Sequence, residues 1–120
     1  MEPSQKIKLL KNELKIDSWD LYYTFTDGSY FFGALTITNQ RIFFETKVKG
    51  AVQAMLKASS ILTNHTANHV FLSKKLITGI EAVKDTTGNK VFITLTNGEK
   101  HILDRKMLSM EKIITALQTM

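Results

Sequence analysis

The stretch Gly33-Ala34-Leu35-Thr36-Ile37-Thr38-Asn39-Gln40-Arg41-Ile42-Phe43-Phe44-Glu45 constrains the fold more than any other part of the chain. Two alternating arms meet there at a short polar turn. Leu35 and Ile37 alternate with Ala34, Thr36 and Thr38, and Ile42 and Phe44 alternate with Arg41, Phe43 and Glu45, so each arm has the period of a strand. Asn39 and Gln40 stand where a tight turn needs a residue that tolerates unusual backbone angles or folds its side chain onto its own backbone. The segment reads as a β-hairpin.

The same patterning extends in both directions. Trp19, Leu21, Tyr23 and Phe25 alternate with Asp20, Tyr22 and Thr24 before Asp27-Gly28 breaks the run, so three antiparallel strands are expected by residue 48. From Lys49 the alternation stops. Ala51, Val52, Met55, Leu56, Ser59 and Leu62 recur at spacings of three and four among good helix formers, which predicts a helical insertion at about 49–62 within a departure spanning 49–68. Strand character returns from His69 or Val70 to Ile77, over 79–84 and over 91–96. Asn97-Gly98 then marks a second hairpin, with a return strand at 100–103. From Asp104 the period becomes helical, with Met107, Met110, Ile113, Ile114 and Leu117 on one stripe and Asp104 as the cap, predicting a C-terminal helix over 104–119. Residues 1–16 carry Ile7, Leu10 and Leu14 at helical spacing and read as an N-terminal helix or an extended arm.

The pattern Gly-x-Leu-x-Ile-Thr-Asn-x-Arg-Ile-x-Phe at residues 33–44 resembles the hairpin of GRAM domains and related pleckstrin-homology-like (PH-like) proteins. A weaker likeness lies in Leu76-Ile77-Thr78-Gly79-Ile80-Glu81. The resemblance covers roughly residues 17–117 and implies an α+β, mainly β fold. It would be a split antiparallel barrel of about seven strands closed by a C-terminal helix, forming a single domain over 1–120. It also implies a binding or adaptor module without catalysis. Lipid-binding members place cations in and beside the turn between the first two strands. Here that turn is Thr26-Asp27-Gly28-Ser29, which has no cation and one carboxylate, so that site does not carry over.

Charge is informative by position. The chain of 120 residues has 16 basic and 11 acidic residues, for a formal net charge of +5. No acidic residue occurs from Thr46 to Ile80, where Lys47, Lys49, Lys57, Lys74 and Lys75 lie, and the other basic residues balance all the acidic ones. The whole excess belongs to one segment, and a block of one sign attracts anions as a mixed surface does not. We therefore expect peripheral contact with an anionic membrane surface through Lys47, Lys49, Lys57, Lys74 and Lys75, with Met55 and Leu56 as apolar anchors of an interfacial helix. The alternative is a protein-interaction module, self-associating through the insertion helix, the C-terminal helix or a strand edge.

Other chemistry finds less support. There is no cysteine, so disulfides, thiolate nucleophiles and cysteine-ligated metals are excluded and a reducing, cytoplasmic setting is expected, with the inner membrane face as the peripheral site. His65 and His69 stand four apart, a spacing that on a helix would align two imidazoles, but Asn64, Thr66 and Asn68 favour a loop and no third ligand is near; no metal is expected. No phosphate-binding glycine loop, nucleophile set or paired carboxylates point to a cofactor or an enzyme, and His101, Asp104 and Ser109 form a trio of the kind that arises by chance. The aromatic residues Tyr22, Tyr23, Tyr30, Phe31 and Phe32 lie apart from the lysines, which argues against nucleic acid as a partner.

Overall fold

The structure, a computed structural model, describes residues 7–86 and 88–119. The expectations for residues 1–6 lie outside them. Eight strands, β1 (Lys15–Thr24), β2 (Tyr30–Thr38), β3 (Arg41–Glu45), β4 (Asn64–His65), β5 (His69–Ser73), β6 (Ile77–Asp85), β7 (Gly88–Leu95) and β8 (Lys100–Asp104), form one antiparallel sheet. Its order is β4-β5-β3-β2-β1-β8-β7-β6, so the sheet stays open, with β4 and β6 at its edges. Two helices, α1 (Ala51–Ala58) and α2 (Glu111–Gln118), complete an α+β architecture. The count of eight strands exceeds the expected seven or so because the insertion contributes the two-residue β4.

The hairpin at 33–45 forms in the register the sequence implies, with Leu35 opposite Phe44 and Ile37 opposite Ile42. Gly33 is required by close approach: a Cβ there would run into the Glu45 carbonyl and the Phe44 ring. The turn is held differently from the expectation. Thr38 Oγ1 accepts from the amides of Gln40 (3.1 Å) and Arg41 (3.0 Å), while Asn39 turns outward to the N-terminal arm, donating to the Asn12 carbonyl (3.0 Å) and accepting from the Leu14 amide (2.7 Å). Residues 7–14 therefore form an arm, not a helix, folded across the hairpin.

The core lies on the concave face of the sheet. Leu21, Tyr23, Leu35, Ile37, Phe44, Val91, Ile93 and Leu103 project into it from alternate strand positions, and Met55 and Ile113 enter it from the two helices. The strand period thus explains burial on both sheet halves. α2 lies against β2, and α1 against β5.

Two boundaries differ from the sequence reading. α2 begins at Glu111, not 104, because Lys106 adopts a left-handed backbone (φ 60°) that no helix accommodates. Asp104 ends β8 and accepts the Lys106 amide at 2.8 Å, and Met107 is 77% exposed. α1 begins after Gly50, whose φ of 80° turns the chain from the β3 loop into the helix.

Candidate functional site

The structure separates the five lysines of the basic segment. Lys47 and Lys49 are exposed on the Thr46–Gly50 loop at one end of β3, and Lys57 is exposed in the last turn of α1. Lys74 and Lys75 follow β5, where Lys74 N donates to the Gln40 carbonyl beside the opposite end of β3. One continuous basic face is therefore not formed.

Lys74 is also engaged. Its Nζ donates to the carbonyls of Ala116 (2.7 Å) and Thr119 (2.6 Å), satisfying the C-terminal end of α2, where a cation meets the negative end of the helix dipole. Burial lowers its ammonium pKa from the ordinary value. Lys74 and exposed Lys75 border a groove of about 710 Å³ with an apolar floor that includes Phe71, Ile77, Ile80 and Leu117. Arg41, the third cation there, is committed as well: Nε donates to Glu13 Oε2 at 2.8 Å, and the guanidinium stacks 4.9 Å from the Phe71 ring centroid. The groove offers Lys75 as its uncommitted cation among the described residues.

The apolar anchors are corrected. Met55 is 0% exposed and Leu56 is half-buried against the core, so the apolar stripe of α1 faces the protein, where Ala51, Val52 and Leu62 join it. The amphipathic helix packs as most do, against its own sheet. Val48, by contrast, stands on the loop ahead of the helix, 65% exposed between Lys47 and Lys49.

At the turn between β1 and β2, Asp27 Oδ1 accepts from Ser29 N (2.9 Å) and Ser29 Oγ (2.6 Å), and these bonds hold its carboxyl below the usual range. A carboxylate locked ionised at the tip disfavours phosphate there. His65 and His69 lie on β4 and β5, not on a helix. His65 is exposed, whereas His69 is buried, with Nδ1 2.9 Å from Thr66 Oγ1 and Nε2 3.5 Å from Glu45 Oε2. Among the described residues no three acidic or histidine side chains converge as metal ligands.

A partly buried polar cluster escaped the sequence reading. His101 Nε2 lies 2.8 Å from Glu99 Oε1, which also accepts from Ser59 Oγ at 2.5 Å, and Glu99 Oε2 accepts from Ser60 Oγ (3.1 Å) and Asn97 Nδ2 (2.6 Å). Burial alone would raise the Glu99 carboxyl, but the bonds from Ser59, His101, Asn97 and Ser60 bring it down to about 2. Serine, histidine and carboxylate thus meet, yet Ser59 and His101 are buried and the serine hydroxyl points at the carboxylate. The arrangement ties the end of α1 to the β7–β8 hairpin and does not present a nucleophile.

No family model and no curated protein matches the chain. Among solved structures, the crystal structure of the C-terminal domain of an unknown protein from Leishmania infantum superposes with a TM-score of 0.62 at 16% identity, covering 89% of this chain and 83% of that one. At that identity the likeness is one of fold. No helix among the described residues is long and apolar enough to cross a membrane.

Proposed function

We propose that the chain is a non-enzymatic binding module on a PH-like split barrel, contacting an anionic membrane surface peripherally, at the cytoplasmic face, through the Thr46–Gly50 loop. Support for the PH-like part comes from the two sheet halves, β5-β3-β2-β1 and β8-β7-β6, and from the helix that follows the last strand. The observation that carries the membrane reading is Val48, exposed between two exposed lysines, with Lys57 exposed further along α1. A lysine near an anionic leaflet contributes about 1 kcal/mol, and burying a valine side chain about 1.5 kcal/mol, so this loop supports weak, reversible attachment.

Co-sedimentation with vesicles of phosphatidylcholine, with and without phosphatidylserine, tests it. Binding should require the anionic lipid, and should be lost in Lys47→Glu/Lys49→Glu and weakened in Val48→Asp. Equal binding to both vesicle types, or full binding by the double lysine variant, overturns the proposal. A second reading, a protein-interaction module, is favoured by the aromatic side chains exposed on the convex face of the sheet.

A further inference from the structure

The groove beside Lys74 and Lys75 has the make-up of a small-molecule site. Such sites are concave, of about 300–1,000 Å³, and lined by apolar side chains with a few polar groups that fix one end of the ligand. This groove holds about 710 Å³, and Phe71, Ile77, Ile80 and Leu117 give it a floor without side-chain donors or acceptors. Its place follows from the topology. β6 forms one edge of the sheet and β5 lies next to the other, and a short 3-10 turn, Lys74–Leu76, joins them at the C-terminal end of α2.

The charge at the groove is of one sign. Its cations are Arg41, Lys74 and Lys75, and no acidic residue lines it. Arg41 is neutralised by buried Glu13, 2.8 Å away. Glu81 follows Ile80 but stands on the other face of β6, since Ile80 pairs with buried Ile93 and Glu81 with Phe92. The two lysines keep their charge. Lys74 Nζ donates to neutral carbonyls, those of Ala116 and Thr119, which use two of its three N–H donors, and Lys75 is exposed.

An apolar floor that ends at two ammonium groups is complementary to a molecule with an aliphatic body and an anionic head. An extended peptide suits it less well: β6, the edge with which it would pair, carries a bulge between Ile77 and Gly79, and bulges twist an edge away from further pairing. We infer that this groove binds one long-chain fatty acid carboxylate, with its chain along Phe71, Ile77, Ile80 and Leu117 and its head at Lys74 and Lys75. The site lies beside the end of β3 opposite the Thr46–Gly50 loop, so it takes the ligand as a monomer and stands apart from the membrane proposal.

Titration of the full chain with dodecanoate below its micelle-forming concentration, followed by calorimetry and by amide NMR shifts, provides the test. Binding should saturate at one molecule per chain, with the largest shifts over residues 73–80 and 116–118. Decanoate, two methylenes shorter, should bind about tenfold more weakly, as loss of buried chain requires. Lys75→Glu, at an exposed position, should weaken dodecanoate by about tenfold, because repulsion replaces attraction at the head. Dodecyltrimethylammonium, with the same chain and the opposite charge, should not compete, and Lys47→Glu/Lys49→Glu should bind dodecanoate as the wild type does. No saturable binding, wild-type shifts centred on the Thr46–Gly50 loop, competition by the cationic amphiphile, or full affinity in folded Lys75→Glu would each overturn the inference.

Discussion

The Tyr23 hydroxyl stands 2.7 Å from Nδ1 of His101, and both side chains are buried in the core. With Nε2 facing the Glu99 carboxylate at 2.8 Å, the bonds assign the proton to Nε2 and leave Nδ1 to accept from the tyrosine. A second proton on the ring would leave the Tyr23 hydroxyl without its acceptor. Burial pushes the Tyr23 phenol up and keeps it protonated, which preserves the donor. The core is therefore built around a neutral histidine.

This has a consequence for pH. Burial lowers the His101 pKa from 6.5, against the opposing pull of Glu99, and lowers that of His69 in the same way against Glu45. An unfolded chain then binds protons below about pH 6.5 that the folded one does not, so stability falls with pH from that point. Glu99 adds a second step: its carboxyl is held at about 2 against 4.5, so its stabilisation is complete above pH 4.5 and is lost as pH drops towards 2. Urea midpoints should be flat above pH 7 and decline in two stages below it. Tyr23→Phe should lower stability by about 1–2 kcal/mol at neutral pH by leaving Nδ1 without its donor. Midpoints that rise on acidification would contradict the neutral core.

Glu99 carries a mechanical role that Glu99→Ala would expose. The carboxylate collects Ser59, Ser60, Asn97 and His101, so it joins the last turn of α1 to a hairpin forty residues away. Its removal leaves buried donors unsatisfied and should cost about 2–3 kcal/mol. Hydrogen exchange should accelerate first over residues 51–60, ahead of the sheet. Uniform acceleration across the chain would show that the tie does not act locally.

How far the sequence revealed these features depends on separation. The Gly33–Glu45 hairpin and the turn at Asn97-Gly98 were legible because period and turn chemistry lie within a few residues of each other. Helix α1 was legible too, but amphipathicity gives a face without its occupant, which is why Met55 was assigned to a membrane and lies in the core. Met107 fell on the helical stripe by coincidence of spacing, since the left-handed Lys106 was invisible. The Glu13–Arg41 and Ser59–Glu99 pairs had no sequence signal, because residues 28 and 40 positions apart share no local pattern. The exposure of Tyr30 and Phe32 had no local signal either, because only strand pairing could assign their face.

The Glu13–Arg41 pair fixes the N-terminal arm to the hairpin turn. The Glu13 side chain is fully buried, takes Thr38 Oγ1 at 2.6 Å and the Leu10 amide at 2.8 Å, and meets Arg41 Nε at 2.8 Å. Burial pushes its carboxyl up, but the bonds from Arg41, Thr38 and Leu10 prevail and leave it below the ordinary value. Removing one partner of a buried pair strands the other, so Glu13→Ala and Arg41→Ala should each cost about 3–5 kcal/mol. The double variant should cost less than their sum, with a coupling of about 1–3 kcal/mol in a double-mutant cycle of chemical melts. Additive losses would mean that the two residues act separately.

Gly33 gives the sharpest steric test, since its substitution adds one carbon. It lies in mid-strand opposite Leu21, and the position its Cβ would take is occupied by the Glu45 carbonyl and the Phe44 ring. Phe44 is buried at the centre of the concave face, and Glu45 is the last paired residue of β3, so neither backbone nor ring has room to retreat. Elsewhere in a strand, replacing glycine by alanine favours the fold through the unfolded chain by about 0.4–1 kcal/mol. At position 33 the sign should reverse, and Gly33→Ala should destabilise by about 2 kcal/mol or more, as overpacking does. Gly79→Ala is the control, because its Cβ would meet Thr94 at an ordinary 3.5 Å. Thermal melts should therefore drop for position 33 and change little for position 79, and equal effects at both would show that the β2–β3 approach is looser than the register implies.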